Sequence, residues 1–287
     1  MNDYILFTDS GCDISPDLLN QWGVPFANMT FIFEGDPTEY INSDLSCKDF
    51  YARMRQGETA KTAAINAAAF TQAFVPILEE GKDILYVAFS SGLSTTVNSA
   101  HMAAEELKEQ YPDRKIVIVD TLAASAGGGL MVYMAVQKKL EGASLEENAA
   151  YIESLTPQHC IWFTVDDLEY LKRGGRVSPL AALAGGLLGI KPILQMDDEG
   201  HLIKVSTVRG RKKAIEALAD KYTELSTDPA NPVFISHAEC EEDARLLADM
   251  LKQKHGVDVT LITEIGPIIG SHAGPGTLAL FFVGKHR

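Results

Sequence analysis

Residues 84–96 constrain this chain more than any other stretch. Ile84-Leu85-Tyr86-Val87-Ala88-Phe89 is an unbroken apolar run that reads as a buried strand, and Ser90-Ser91-Gly92-Leu93-Ser94-Thr95-Thr96 follows it. Apolar and small residues then recur at helical spacing over 97–111. A strand therefore runs through a hydroxyl-rich turn into a helix.

That turn also bears on chemistry. The first N–H groups of a helix lack intrahelical partners and the peptide dipoles add partial positive charge there, so an anion is welcome. Five hydroxyls crowd the turn, and one suffices as an ordinary N-cap. The others either satisfy local backbone groups or line a pocket for a small anion. A phosphate site brings Lys, Arg or a glycine-rich P-loop, and none stands here. A carboxylate carries one charge, and hydroxyls and amides alone suffice to hold it.

The rest of the chain repeats the strand-then-helix pattern. Strands are predicted at 4–8, 24–33 and 115–119, with helices at 16–22, 46–55, 122–140 and 145–155. This alternation predicts a parallel α/β sheet with helices on its faces, whose ligands sit beyond the carboxyl ends of the strands. Asp9 closes the first strand. A haloacid-dehalogenase nucleophile would want a second Asp where Gly11 stands, so Asp9 is read as ordering its loop or lining the cleft, and Asp13 with Ser15 as starting the first helix. Residues 57–66 read as a second hydroxyl-bearing turn, carrying Thr62, with a helix start near Asn66.

From about residue 157 the texture changes to α+β. Strands are predicted at 160–165, 233–236, 257–263 and 278–283, a hairpin at 192–207, and helices at 166–171, from 209 onward and at 241–254. The expected domains are residues 1–157 and 158–287. Residues 170–213 hold nine Lys or Arg against three acids, in a chain whose net charge is −14 with 39 acids and 25 bases. The overall charge argues against nucleic-acid binding. The basic cluster brackets an apolar, glycine-rich run at 179–190 and suits an anionic membrane surface or an acidic protein partner. Residues 265–277 are rich in Gly and Pro, are predicted to lack regular structure, and place His272 on a tight loop.

Four scattered cysteines without a Cys-x-x-Cys pair, no signal-peptide pattern and no apolar run long enough to cross a bilayer fit a cytoplasmic protein. The seven histidines stand apart, so no metal site is legible. Neither a P-loop nor a kinase signature is present.

Taken together, these stretches resemble the DegV family of bacterial fatty-acid-binding proteins, whose members include the acyl carriers of the fatty acid kinase system. The matching pieces are Thr8-Asp9-Ser10, Ser90-Ser91-Gly92-Leu93-Ser94, Leu171-Lys172-Arg173-Gly174-Gly175-Arg176-Val177-Ser178, Gly189-Ile190-Lys191-Pro192, Arg209-Gly210-Arg211 and residues 265–276. The resemblance implies a two-domain α/β fold, an N-terminal parallel α/β sandwich plus a C-terminal α+β domain, with one long-chain fatty acid such as palmitate buried between them. It implies that Thr62 and Ser94, with Ser91 and Thr95 nearby, hold the carboxylate without an arginine, and that His272 stands beside it. It further implies that Arg176 and Arg209 meet a separate kinase or the lipid surface, that residues 179–190 move to admit the chain, and that the protein serves phospholipid synthesis with no cofactor and no catalysis of its own. Two departures stand out: Ala63-Ala64-Ile65-Asn66 replaces the family's Ser-x-Pro-Ser, and Thr95 replaces a glycine. The competing expectation from the residues is an enzyme, a serine-dependent acyl hydrolase using Ser94 and His272 or a small-molecule kinase. A Gly-x-Ser-x-Gly elbow is absent for the first and a nucleotide motif for the second.

Overall fold

Strand β1 (Tyr4–Asp9) lies inside a four-stranded sheet with β2 (Phe26–Ala27), β5 (Asp83–Ala88) and β6 (Ile116–Asp120), in the order β2-β1-β5-β6. The computed structural model describes residues 4–176 and 189–287. All three pairings in this sheet are parallel, as the strand-then-helix alternation requires. Every residue of β5 is buried, which is why its sequence is an unbroken apolar run. Helices α1 (Pro16–Gln21), α3 (Ala67–Glu79), α4 (Thr96–Gln110) and α6 (Leu145–Leu155) flank it. Ser15 caps α1, Asn66 caps α3, and Ser144 with Glu147 forms a capping box on α6.

Two expectations for this half are corrected. The single strand over 24–33 is two: β2 pairs with β1, whereas β3 (Thr30–Phe33) leaves the sheet and pairs antiparallel with β4 (Ala60–Ala63). The Ser10 hydroxyl accepts the Met29 N–H at 2.9 Å between them, so that donor serves a side chain instead of a ladder. Thr62 accordingly sits on a strand, opposite Phe31, not on a turn. Helix α2 (Cys47–Arg55) begins behind its Ser46 cap.

The second sheet runs β11-β10-β12-β7-β8-β9. Its strands are β7 (His159–Thr164), β8 (Ile190–Met196), β9 (Leu202–Arg209), β10 (Phe234–His237), β11 (Leu261–Glu264) and β12 (Leu278–Val283). Only β10 and β11 are parallel; the other pairs are antiparallel. Helices α8 (Arg211–Leu225) and α9 (Glu241–His255) bury Ile215, Leu218 and Leu247 against one face, with Leu280 and Phe282 of β12. The opposite face meets the first half through α5 (Ala126–Leu140). One apolar cluster joins Leu85 and Val87 of β5, Leu130 of α5, Phe163 of β7 and Phe281 of β12. A short α7 (Glu169–Arg173) takes in Lys172 and Arg173 of the expected basic turn.

Residues 265–277 also depart from expectation, since Pro267–Ala273 is a helix, α10. Pro267 takes the first helical position, where a missing N–H costs nothing. At Gly270 a Cβ would stand 2.4 Å from the Tyr51 hydroxyl, so that glycine serves close packing and does not break the helix. The expectation that 179–190 moves falls, over 179–188, outside the described residues.

Candidate functional site

A cavity of about 390 Å³ lies between the two sheets. Met29, Phe89 and Ser125 enter it from just beyond β2, β5 and β6, so it opens at the carboxyl ends of the parallel strands, where α/β sheets place ligands.

One end is polar. The Thr62 hydroxyl, projected by β4, lies 2.8 Å from His272 Nε2 on α10, and both line the cavity with Ser91, Ser94 and Thr95. The His272 ring packs against Gly174, where a Cβ would stand 2.3 Å from Nδ1; a glycine is required there. Burial, with the Arg176 guanidinium second, pushes the imidazole down to about 4. It is therefore neutral at pH 7. Its Nδ1 is buried with no partner among the described residues.

The serine turn is fixed from three sides. Asp9, fully buried, accepts the Tyr86 hydroxyl at 2.6 Å, the Phe89 N–H at 3.0 Å and the Gly11 N–H at 2.9 Å. Its carboxyl is raised by burial, against the pull of those three bonds. Ser90 donates from its backbone to the Ala123 carbonyl at 2.9 Å and from its hydroxyl to the Gly200 carbonyl at 3.0 Å. Gly92 presses on the β8–β9 turn, where a Cβ would lie 2.6 Å from the Glu199 carbonyl oxygen. The Ser94 hydroxyl sits 2.8 Å from that of Thr96 and accepts the Thr96 N–H at 3.2 Å. Thr95, at the N-cap of α4, makes no side-chain cap bond. Ser90 thus has the structural role open to any hydroxyl of the turn, while Ser91, Ser94 and Thr95 face the cavity.

The rest of the lining is largely apolar. Ile161 and Phe163 of β7, Phe281 of β12, Met196 and Leu202 of the hairpin, and Ile268 of α10 form its walls. Ser125, also in the lining, donates to Asp13 at 2.5 Å, and Asp13 also accepts the Gly266 N–H at 3.0 Å. Burial raises the Asp13 carboxyl to about 7. Asp13 thus ties together the starts of α5 and α10 instead of helping Ser15 open α1.

Several expectations are refined here. Thr62, Ser91, Ser94, Thr95 and His272 converge on one cavity, although Thr62 and His272 are 210 residues apart. Asp9 does not line it and only orders the loops. Ser94 and His272 form no dyad: the serine bonds Thr96 and the imidazole bonds Thr62. The cavity is not free of arginine, because Arg176 lines it, donating to the carbonyls of Leu93 and Gly174. Arg209 stands exposed at the end of the edge strand β9, outside the cavity. Ser125 and the hairpin residues Met196 and Leu202 went unnoticed in the sequence, where nothing local ties them to a ligand. Among the described residues no group of His, Cys, Asp or Glu is arranged to hold a metal ion, and no helix is long and apolar enough to cross a membrane.

Residues 5–285 match the family described as "Uncharacterised protein, DegV family". A DegV domain-containing protein of Clostridium perfringens is 43% identical, over 100% of this chain and 99% of its own. Among solved structures, a fatty-acid-binding DegV family protein of Thermus thermophilus superposes with a TM-score of 0.87 at 31% identity, covering 99% of this chain and 100% of that one. A stearic-acid-binding protein of Eubacterium ventriosum gives 0.89 at 25% identity, over 98% of both. A family match spanning both sheets and the cavity between them, together with a relative sharing 43% of its residues end to end, makes this chain a member of the DegV family.

Proposed function

We propose that this protein binds one long-chain fatty acid, such as palmitate, with its carboxylate between Thr62 and Ser94 and its alkyl chain along the apolar walls. The observation that carries this reading is one cavity whose lining joins hydroxyls and a neutral imidazole to the apolar side chains of Ile161, Phe163 and Phe281. The solved relatives that bind fatty acid or stearic acid support it. So does the energetics. Burying about fourteen methylenes at about 0.8 kcal/mol each offers on the order of 11 kcal/mol before ordering costs. Hydrogen bonds to a charged head contribute only about 1.5–3 kcal/mol each, and desolvation offsets much of that. The tail then sets affinity and the head sets orientation. Ser91, Thr95 and His272 complete the polar end, and Arg176 adds positive charge beside it.

On this reading the chain, divided into residues 1–157 and 158–287, is a carrier with no reaction of its own. It collects the acid at a membrane surface and presents the carboxylate to a separate fatty acid kinase that makes acyl-phosphate for phospholipid synthesis. Arg209 and the basic residues near it are assigned to the partner or the lipid surface, with Arg176 at the rim contributing to both tasks. Mass spectrometry of lipid extracted from the purified protein tests the first part: one long-chain fatty acid per chain is expected, and an empty protein that takes up none when offered would end the reading. Arg209→Ala is expected to keep its lipid while slowing phosphorylation by the kinase, and unchanged turnover would remove the partner assignment.

A further inference from the structure

Helix α5 opens with Gly127-Gly128-Gly129, a costly run at a helix start, and the three glycines face different neighbours. At Gly128 a Cβ would meet Cys12 at an ordinary 3.6 Å, and at Gly129 it would strike Ile14 at 2.5 Å. Both of these face the first half of the molecule. Gly127 faces the other way: a Cβ there would lie 2.8 Å from Phe281 Cδ1 and 3.2 Å from Ile161 Cδ1. Phe281 and Ile161 are directly opposite each other in the β12–β7 ladder, and both line the cavity. The ring and the isoleucine therefore form one panel that both lines the cavity and packs against Gly127.

We propose that Gly127 is a specificity-determining residue: lacking a Cβ, it lets the Phe281–Ile161 panel stand back and so sets the length of acyl chain the cavity admits. This rests on the fatty-acid reading above. Retreat of the helix from a methyl group at 127 is opposed by Gly129, whose other side already packs against Ile14 and the Cys12 carbonyl. Close-packed interiors answer such overpacking by moving side chains toward free space, and the free space is the cavity. Alanine also favours a helix more than glycine does, so the substitution carries no penalty from the helix itself.

The test compares wild type with Gly127→Ala, Phe281→Leu, the double variant and Gly128→Ala, by mass spectrometry of co-purified lipid and by affinity for saturated C14, C16 and C18 acids. Gly127→Ala is expected to shift the profile toward shorter chains and weaken binding of the longest acid about 10-fold or more, the usual discrimination for a methylene in an apolar pocket. Phe281→Leu is expected to shift it toward longer chains, the double variant to return toward wild type, and Gly128→Ala to change nothing. If Gly127→Ala does not fold, Phe281→Leu decides alone. A wild type that carries fatty acid while Gly127→Ala and Phe281→Leu share its profile overturns the proposal and leaves the carrier reading intact. A wild type that binds no fatty acid overturns both.

Discussion

Replacing Thr62 by valine removes one oxygen and keeps the side-chain shape. In the protein without ligand this deletes the 2.8 Å contact with His272 Nε2. Thr62 is half-buried, so water replaces part of the loss and the stability cost is about 1 kcal/mol. In the complex it also deletes a hydrogen bond to the carboxylate, worth about 1.5–3 kcal/mol, which is a factor of roughly 10 to 150 in affinity. The tail, at on the order of 11 kcal/mol, is untouched. Thr62→Val is therefore expected to retain lipid from its expression host but release it faster. Displacement of a fluorescent fatty acid measures the affinity, and thermal unfolding of delipidated protein measures the stability cost separately. Affinity within twofold of wild type would refute the reasoning, because the hydroxyl would then not be touching the head group.

Three more expectations follow from the same geometry. Gly174→Ala puts a Cβ 2.3 Å from His272 Nδ1 without backbone strain, since Gly174 has φ −68°; displacement assays should show weaker fatty-acid binding by an intact fold, and unaltered binding would show that the imidazole is not needed where it stands. Ser90→Ala strips the buried hydroxyl that reaches the Gly200 carbonyl and accepts the Gly92 N–H, and should cost about 1–3 kcal/mol in denaturant unfolding; no loss would mean the turn is held by other contacts. Asp13, raised to about 7 by burial, keeps in the fold a proton that the unfolded chain gives up near 3.8, so its contribution is greatest in acid and fades as pH rises from about 4 to about 7. His272 and His159, pushed down to about 4 and about 3, act in the opposite sense and lose stability as pH falls below about 6.5. Asp13→Asn should therefore be more acid-sensitive than wild type, the gap widening toward low pH by at most about 1.4 kcal/mol per unit; a gap independent of pH would contradict the assignment.

How much of this was legible in the sequence depended on how local its cause is. Residues 84–89 announced β5 because burial on both faces leaves no alternation, and α6 was placed at Leu145–Leu155 because its periodicity and capping box are local. The β3–β4 ribbon has no local signal because its pairing partners are far apart in the chain, Phe31 and Thr62 being 31 residues apart. Helix α10 was missed because Pro267 and Gly270 break helices on average, and only Tyr51, far away in sequence, makes Gly270 fit. Composition marks Arg176 as basic but does not give its direction, so its place in the cavity wall is visible only in the fold. The meeting of Thr62 with His272 has no local signal at all. It was reached through the family resemblance, and the fold supplies its physical cause in β4 and α10 packing side by side.

The most direct test of the central claim is a crystal structure of the protein bound to palmitate. The carboxylate is expected at hydrogen-bond distance, about 2.7–3.2 Å, from the hydroxyls of Thr62 and Ser94, with the chain running past Ile161 and Phe281. Palmitate lying elsewhere, or reversed with its methyl end at Thr62, would contradict it.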